Sequence, residues 1–334
     1  VAEPVLASLG GGGFLLARRS NGETRLFDFF AQTPGQAHPE PDFHTTHADF
    51  GTATQDFHIG LGAAAVPGMP AGIVAMHDWG GSMPLPALAE HAISAARRGI
   101  EINRFQGNIL DIVRPIYEAT PAARQQYGRD VASTGQLMKQ PALADTLEHL
   151  TTEGAASFYR GEIGQRIARL CGESGGHLRQ QDLESYRVIE REPLAVEYRN
   201  HQIFTNPPPS AGGKLIEFAL ALTLEQAERR ADRQPSSGSE RHLLDLVEIM
   251  RATANARQRL LDDPGGFAPL LADARDALTR FQVTRGTTHI SAIDAAGGAA
   301  SLTVSNGEGC GSMIPDTGVM LNNMLGESDI NPHG

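Results

Sequence analysis

Apolar positions along this chain alternate at first, then recur at helical steps, then alternate again. Phe14-Leu15-Leu16-Ala17 and Arg25-Leu26-Phe27-Asp28-Phe29-Phe30 have strand length and pair as a probable hairpin, and Gly10 to Gly13 read as a turn after the apolar passage Val1 to Leu9. From Ala71 to about Ile116 the spacing is helical. Leu85, Leu88, Ala89, Ala92, Ile93 and Ala96 form one stripe, Glu90, Arg97 and Arg98 lie off it, and Gly99 is placed as a C-cap. Helices are further predicted over 121–127, 135–151 and 155–172, the last with Ile163, Ile167, Leu170 and Cys171 in step. Alternation returns in Leu194 to Tyr198 and His201 to Phe204, parted by Arg199-Asn200 as a hairpin turn. Two longer helices, 213–232 and 239–262, follow. A final hairpin joins Thr288–Ile293 to Ala299–Ser305 through Asp294-Ala295-Ala296-Gly297-Gly298, the clearest turn chemistry in the sequence.

Composition adds limits. With 334 residues, 40% hydrophobic and 20% charged, the chain can bury a large core and carries no disorder signature over most of its length. The weak candidate linkers are 34–42 and 234–240, and neither divides the chain cleanly, so one large unit is expected. A net charge of −11 argues against nucleic acid as the main partner, because phosphate contact needs clustered Lys and Arg. Cys171 and Cys310 are the only cysteines, which excludes a disulfide framework and a CxxC metal pair but leaves a single bridge open. No stretch reaches the roughly 18 consecutive apolar residues of a membrane span. The sequence begins at Val1, so a targeting segment upstream of it is outside view and the compartment is not legible.

Candidate chemistry concentrates at Gly286-Thr287-Thr288-His289, the head of the last hairpin. A Thr at a strand start is ordinarily a well-placed β-branched residue. It becomes a nucleophile when a base lies within hydrogen-bond reach, and its own α-amino group is such a base once the backbone is cut between Gly286 and Thr287. Gly286 leaves that peptide uncrowded, and the charged, turn-forming segment Asp263 to Arg285 suits a linker. Other readings are weaker. Gly10 to Gly13 lack the Lys-Ser/Thr of a phosphate loop. His38, His44 and His47 sit among prolines and threonines as in a polar loop, so neither a metal nor a cofactor is expected.

Four blocks in order and spacing resemble the γ-glutamyltranspeptidase family of N-terminal-nucleophile (Ntn) hydrolases. They are Val1-Ala2-Glu3-Pro4 with Leu9 to Phe14, Val66-Pro67-Gly68 with Ala71-Gly72, and Pro207-Pro208-Pro209-Ser210-Ala211-Gly212-Gly213. The fourth runs Thr287-Thr288-His289-Ile290-Ser291, Asp294, Ser301-Leu302-Thr303, then Gly318 through Asn322-Asn323. The resemblance spans nearly the whole chain and implies an α+β fold, the Ntn-hydrolase αββα sandwich, here incomplete at both ends. It implies residues 1–286 as a large-subunit-like segment and 287–334 as the start of a small one.

By the same resemblance Thr287 is nucleophile and amine base after autocleavage, and Ser305 falls on the hydroxyl that helps hold it. The acid that binds the donor's amino group falls at Glu327. The family's Asn after the second hairpin strand appears one place early as Asn306, with Gly307 in the matching register. The carboxylate-gripping Arg is replaced by Phe30, after Asp28-Phe29, which removes a bidentate clamp. The paired serines and the Gly-Gly oxyanion turn of the family come later than Gly334, so the fragment itself is expected to be inactive. The implied activity is acyl transfer or hydrolysis on a small γ-glutamyl compound such as glutathione, in a heterodimer of the chain's own cleaved subunits. The alternatives are an Ntn amidohydrolase or acylase with another acyl donor, and an uncleaved homologue with a binding or structural role. The family implies a periplasmic or secreted setting, and the residues leave a cytoplasmic one open.

Overall fold

The computed structural model describes residues 1–3, 5–51, 53–229, 235–262 and 287–327. In chain order its elements begin with β1 (Gly12–Arg18), β2 (Thr24–Phe29), β3 (His44–Asp49), β4 (Thr54–Ile59), α1 (Met69–Gly80), α2 (Leu85–Arg98) and β5 (Ile100–Glu101). The helical middle holds α3 (Arg104–Ile112), α4 (Arg114–Tyr117), α5 (Pro121–Tyr127), β6 (Leu137–Met138), α6 (Pro141–Glu153), α7 (Ala155–Tyr159), α8 (Glu162–Glu173) and α9 (Gln180–Ser185). The rest comprises β7 (Ile189–Arg191), β8 (Leu194–Tyr198), β9 (His201–Thr205), α10 (Ala211–Arg229), α11 (Glu240–Asp262), β10 (Thr288–Ile293), β11 (Ala299–Ser305), β12 (Met313–Ile314) and β13 (Val319–Met320). The α+β class expected from sequence is borne out. Among the described residues one five-stranded sheet, ordered β10-β11-β1-β2-β7, accompanies two-stranded ladders β3–β4, β5–β6, β8–β9 and β12–β13.

Two compact units replace the single one that the sequence predicts. The first comprises Val1–Leu15, Phe27–Glu190 and Arg285–Gly334; the second comprises Leu16–Leu26 and Arg191–Thr284. The reason is a separate small core in the second, where α10 and α11 pack around Phe218, Leu222, Ile249, Ala252 and Ala256. The polar stretch 234–240 lies inside this unit rather than between units. Its β8–β9 hairpin turns through Arg199 and Asn200 at φ 47° and 62°, the left-handed pair that a two-residue hairpin loop requires.

In the first unit, α6 to α9 surround Leu150, Phe158, Ile167, Cys171, Leu178 and Leu183, while α3 to α5 pack Leu110, Ile116, Tyr117 and Tyr127 against Phe57 and Met320. Cys171 and Cys310 are both free and buried, and burial pushes each thiol up to about 12, so neither is a ready nucleophile at neutral pH.

Two local expectations are corrected. Only Gly10 and Gly11 belong to a turn, closed by Gly11 N on the Ser8 carbonyl at 3.0 Å; Gly12 and Gly13 open β1, and the run lies against other backbone. A Cβ on Gly10 would overlap Met320 O, on Gly11 Ser305 O, and on Gly13 Thr303 O, so the absence of side chains is what lets β11 and the Met320 segment close on this strand. The carbonyl of Gly11 also accepts from the amides of Gly68 and Met69, at 2.8 and 3.0 Å, which seats the start of α1 beside it. The second correction concerns the histidines. His44 and His47 lie on β3, not in a loop, and only Ala48 of that strand is buried, so an exposed ribbon reads as polar coil.

Candidate active site

The last hairpin carries the candidate nucleophile. β10 and β11 pair antiparallel from Thr288↔Val304 to Ile293↔Ala299; Thr287 immediately precedes the first of these pairs and Ser305 ends β11. Thr287 is exposed at the head of an edge strand; Gly286 lies outside the described residues. Directly opposed residues share a face, so His289 and Ser291 look across at Thr303 and Ser301. His289 Nδ1 lies 2.7 Å from Thr303 Oγ1 and Nε2 lies 2.9 Å from Ser291 Oγ. The imidazole thus ties both strands just past Thr287.

Ser305 Oγ accepts from the amide of Gly307 at 3.1 Å. This contact orients Ser305 at the end of β11. The chain then turns sharply. Gly307 has φ 60°, and a Cβ there would overlap both Asn323 Oδ1 and Glu327 Oε1. Glycine at this position is therefore what allows the Glu327 carboxylate to close on the turn that begins at Ser305. Asn306 takes the opposite course and is fully buried, as is Tyr117, whose hydroxyl donates to the carbonyl of Val5 at 3.3 Å. Burial pushes the Tyr117 phenol well above its ordinary value and keeps it a neutral donor. The structure brings Ser305, Gly307 and Glu327 together and turns Asn306 into the core.

Two asparagines brace this arrangement. Asn323 Oδ1 accepts from Glu308 N at 2.9 Å and its amide donates to the carbonyl of His58 at 3.1 Å. Asn322 Oδ1 accepts from Ala65 N and Met324 N, while its amide donates to Gly10 O and Ala65 O. The tie to β4 is completed by His58, whose Nδ1 is 3.1 Å from the carbonyl of Gly326. Phe30 is half-buried and stacks on Phe14, ring centroids 5.6 Å apart and planes inclined by 17°. Its carbonyl accepts from Tyr186 Oη at 2.9 Å.

The gamma-glutamyltranspeptidase family model matches residues 1–333. The chain belongs to this family. The glutathione hydrolase proenzyme of Escherichia coli (strain K12) is 28% identical over 362 residues, covering 99% of this chain and 61% of that protein. The acylase ACY 1 proenzyme of Pseudomonas sp. (strain SE83) is also 28% identical, covering 99% of this chain and 64% of the relative. The chain therefore spans about three fifths of the length of these relatives. A solved cephalosporin acylase from Bacillus halodurans superposes on all of this chain and 64% of its own, with TM-score 0.76 at 21% identity. The fold is thus the Ntn-hydrolase kind seen across this family, as the sequence motifs imply.

Family motifs located Thr287, Ser305 and Glu327 in the chain, but the contacts of His289, the closure permitted by Gly307 and the bracing by Asn322 and Asn323 were not read from sequence. The asparagine pair was visible as a motif. The role of Asn322 depends in part on partners 257 and 312 positions away, which no local pattern encodes.

Proposed function

We propose that the whole protein cuts itself before Thr287 and then transfers or hydrolyses the acyl group of a small γ-glutamyl-type amide. The observation that supports this reading is an exposed Thr287 immediately before the Thr288↔Val304 pair at the head of β10, in a chain of this family. In the first step Thr287 Oγ attacks the carbonyl carbon of Gly286, the C–N bond breaks, and an ester forms as the α-amine is released. Water then hydrolyses the ester, leaving a carboxylate on Gly286 and a free Thr287 amine. In turnover that amine takes the hydroxyl proton, Oγ attacks the donor amide, the leaving amine departs with the proton, and water or an amine acceptor releases the acyl group. Residues 1–286 form the large-subunit-like segment and 287–334 the start of the small one, held as a heterodimer after the cut. Mass spectrometry of the full-length protein tests the cut. Two fragments separating at 286/287 support it, and an intact chain leaves only a binding or structural role.

Glu327 is assigned the donor's ammonium, a charge-assisted hydrogen bond worth roughly 1.5 to 3 kcal/mol when shielded from water. Glu327→Gln keeps the shape and removes the charge. The expected result is a fall of about tenfold or more in kcat/KM for an amino-bearing donor, each ~1.4 kcal/mol being one decade. A desamino donor has no ammonium to lose; equal slowing of both donors would return Glu327 to a structural role.

A second reading within the same chemistry, an acylase with a different donor, is favoured by Phe30. An aromatic ring stacked on Phe14 offers nothing to a free α-carboxylate. Donors with that group capped are expected to be preferred, and Phe30→Arg to shift the ratio of kcat/KM back toward the free acid. Strong discrimination by the parent protein in favour of the free carboxylate would show that another cation holds it.

A further inference from the structure

A cavity of about 500 Å³ opens beside the turn that carries Glu327. Pro34, Pro41, Phe43 and Leu325 supply its apolar wall, Gln36 and His177 are among its polar groups, and among the described residues no Lys, Arg, Asp or Glu lines it. Its connection to the candidate nucleophile is short. Leu325 is two residues from Glu327, a span of at most roughly 7 Å, and Glu327 Oε1 closes on Gly307, whose amide holds Ser305. The wall is also fixed. The carbonyl of Gly326 meets His58 Nδ1 at 3.1 Å, and the His58 ring stacks on Phe43 with centroids 5.2 Å apart. Phe43 nevertheless stays 42% exposed, an aromatic face turned to solvent on a braced wall.

His177 adds a directional group. Its Nδ1 accepts from the amide of His38 at 2.8 Å, so the neutral ring carries its proton on Nε2. Burial, with His38 and Arg179 nearby, lowers its pKa and favours that neutral form. The cavity therefore combines apolar surface with the uncharged polar groups of Thr33, Gln36 and His177, and it repels neither amides nor esters as a charged lining would.

We propose that this cavity is the subsite for the far end of the acyl donor, beyond the group held by Glu327, and that it takes an uncharged apolar substituent such as a ring-bearing amide cap. The inference rests on the reading of Thr287 as nucleophile and goes further by naming what the donor carries and which residues select it.

The test uses full-length, cleaved protein and two donors, γ-glutamyl-p-nitroanilide with a free α-carboxylate and the same anilide with that carboxylate capped as a benzylamide. The expected result is a kcat/KM at least about tenfold higher for the capped donor, mostly through KM, since one apolar group in a fitted pocket discriminates by about 10- to 200-fold. Phe43→Ala and Leu325→Ala should each erase most of that ratio, and Phe43→Leu should retain part of it. A ratio near one in the parent, or a high ratio that neither substitution moves, overturns the subsite. So does a loss of folded yield in both variants with the ratio intact, which would make these side chains packing residues. Failure to cleave before Thr287 is read separately by mass and sinks the underlying function instead.

Discussion

Full-length protein carrying Thr287→Ala is expected to remain a single chain, with no detectable hydrolysis of any anilide donor. The hydroxyl is the attacking atom both in the cut and in turnover; among the described residues Ser305 is already oriented by Gly307 N, and the two buried cysteines are held as thiols. Loss of a nucleophile that acts with its base as a unit costs at least about 10⁴-fold in rate. Thr287→Ser keeps the oxygen and should cleave, more slowly where the missing methyl loosens the rotamer. The exposure of Thr287 makes the comparison clean, because a surface Thr→Ala change should alter stability by no more than about 0.5 kcal/mol. Two subunits at normal yield from the Ala variant, seen by mass spectrometry, would remove Thr287 from the mechanism.

How far sequence led depended on whether the deciding interaction was local. The β10–β11 hairpin is described over the same residues that alternation predicts, because its turn is built locally: Asp294 Oδ1 accepts from Ala296 N and Gly298 N at 2.9 and 2.7 Å. Helix α5 likewise begins at Pro121 behind Thr120, whose side chain caps Ala123 N, and spans the predicted 121–127. The α2 stripe was legible as a helix ending before Gly99, yet only Ala96 of it is fully buried, since periodicity reports a face and not what covers it. Gly10 to Gly13 failed for the converse reason. Gly10, Gly11 and Gly13 answer to backbone some 290 to 310 positions away, and that requirement looks the same in sequence as a turn. Site residues followed the same division: motifs placed Thr287, Ser305 and Glu327, while the full burial of Asn306 is not encoded in the motif.

The second large effect is expected at Asn322, and it is one of stability. The side chain is fully buried and uses its whole hydrogen-bonding capacity: Oδ1 accepts from Ala65 N (3.0 Å) and Met324 N (3.1 Å), and Nδ2 donates to Gly10 O (2.7 Å) and Ala65 O (2.9 Å). Three distant segments meet on one amide. Asn322→Ala leaves buried backbone groups without that partner, each costing about 1 to 3 kcal/mol, so a loss of roughly 3 to 5 kcal/mol is expected after partial relaxation. Urea unfolding in an uncleavable Thr287→Ala background measures it without interference from the cut. Asn322→Asp adds a pH signature. It keeps the acceptor oxygens but sets a carboxylate against the carbonyls of Gly10 and Ala65, which raises its folded pKa above the unfolded value of about 3.9. A raised pKa means the folded form binds the proton more tightly, so this variant should lose stability as pH rises from about 4 through the folded pKa and level off above it. If Asn322→Ala unfolds within about 1 kcal/mol of its parent, the three segments are held together by their own backbone pairing and the asparagine is not the brace.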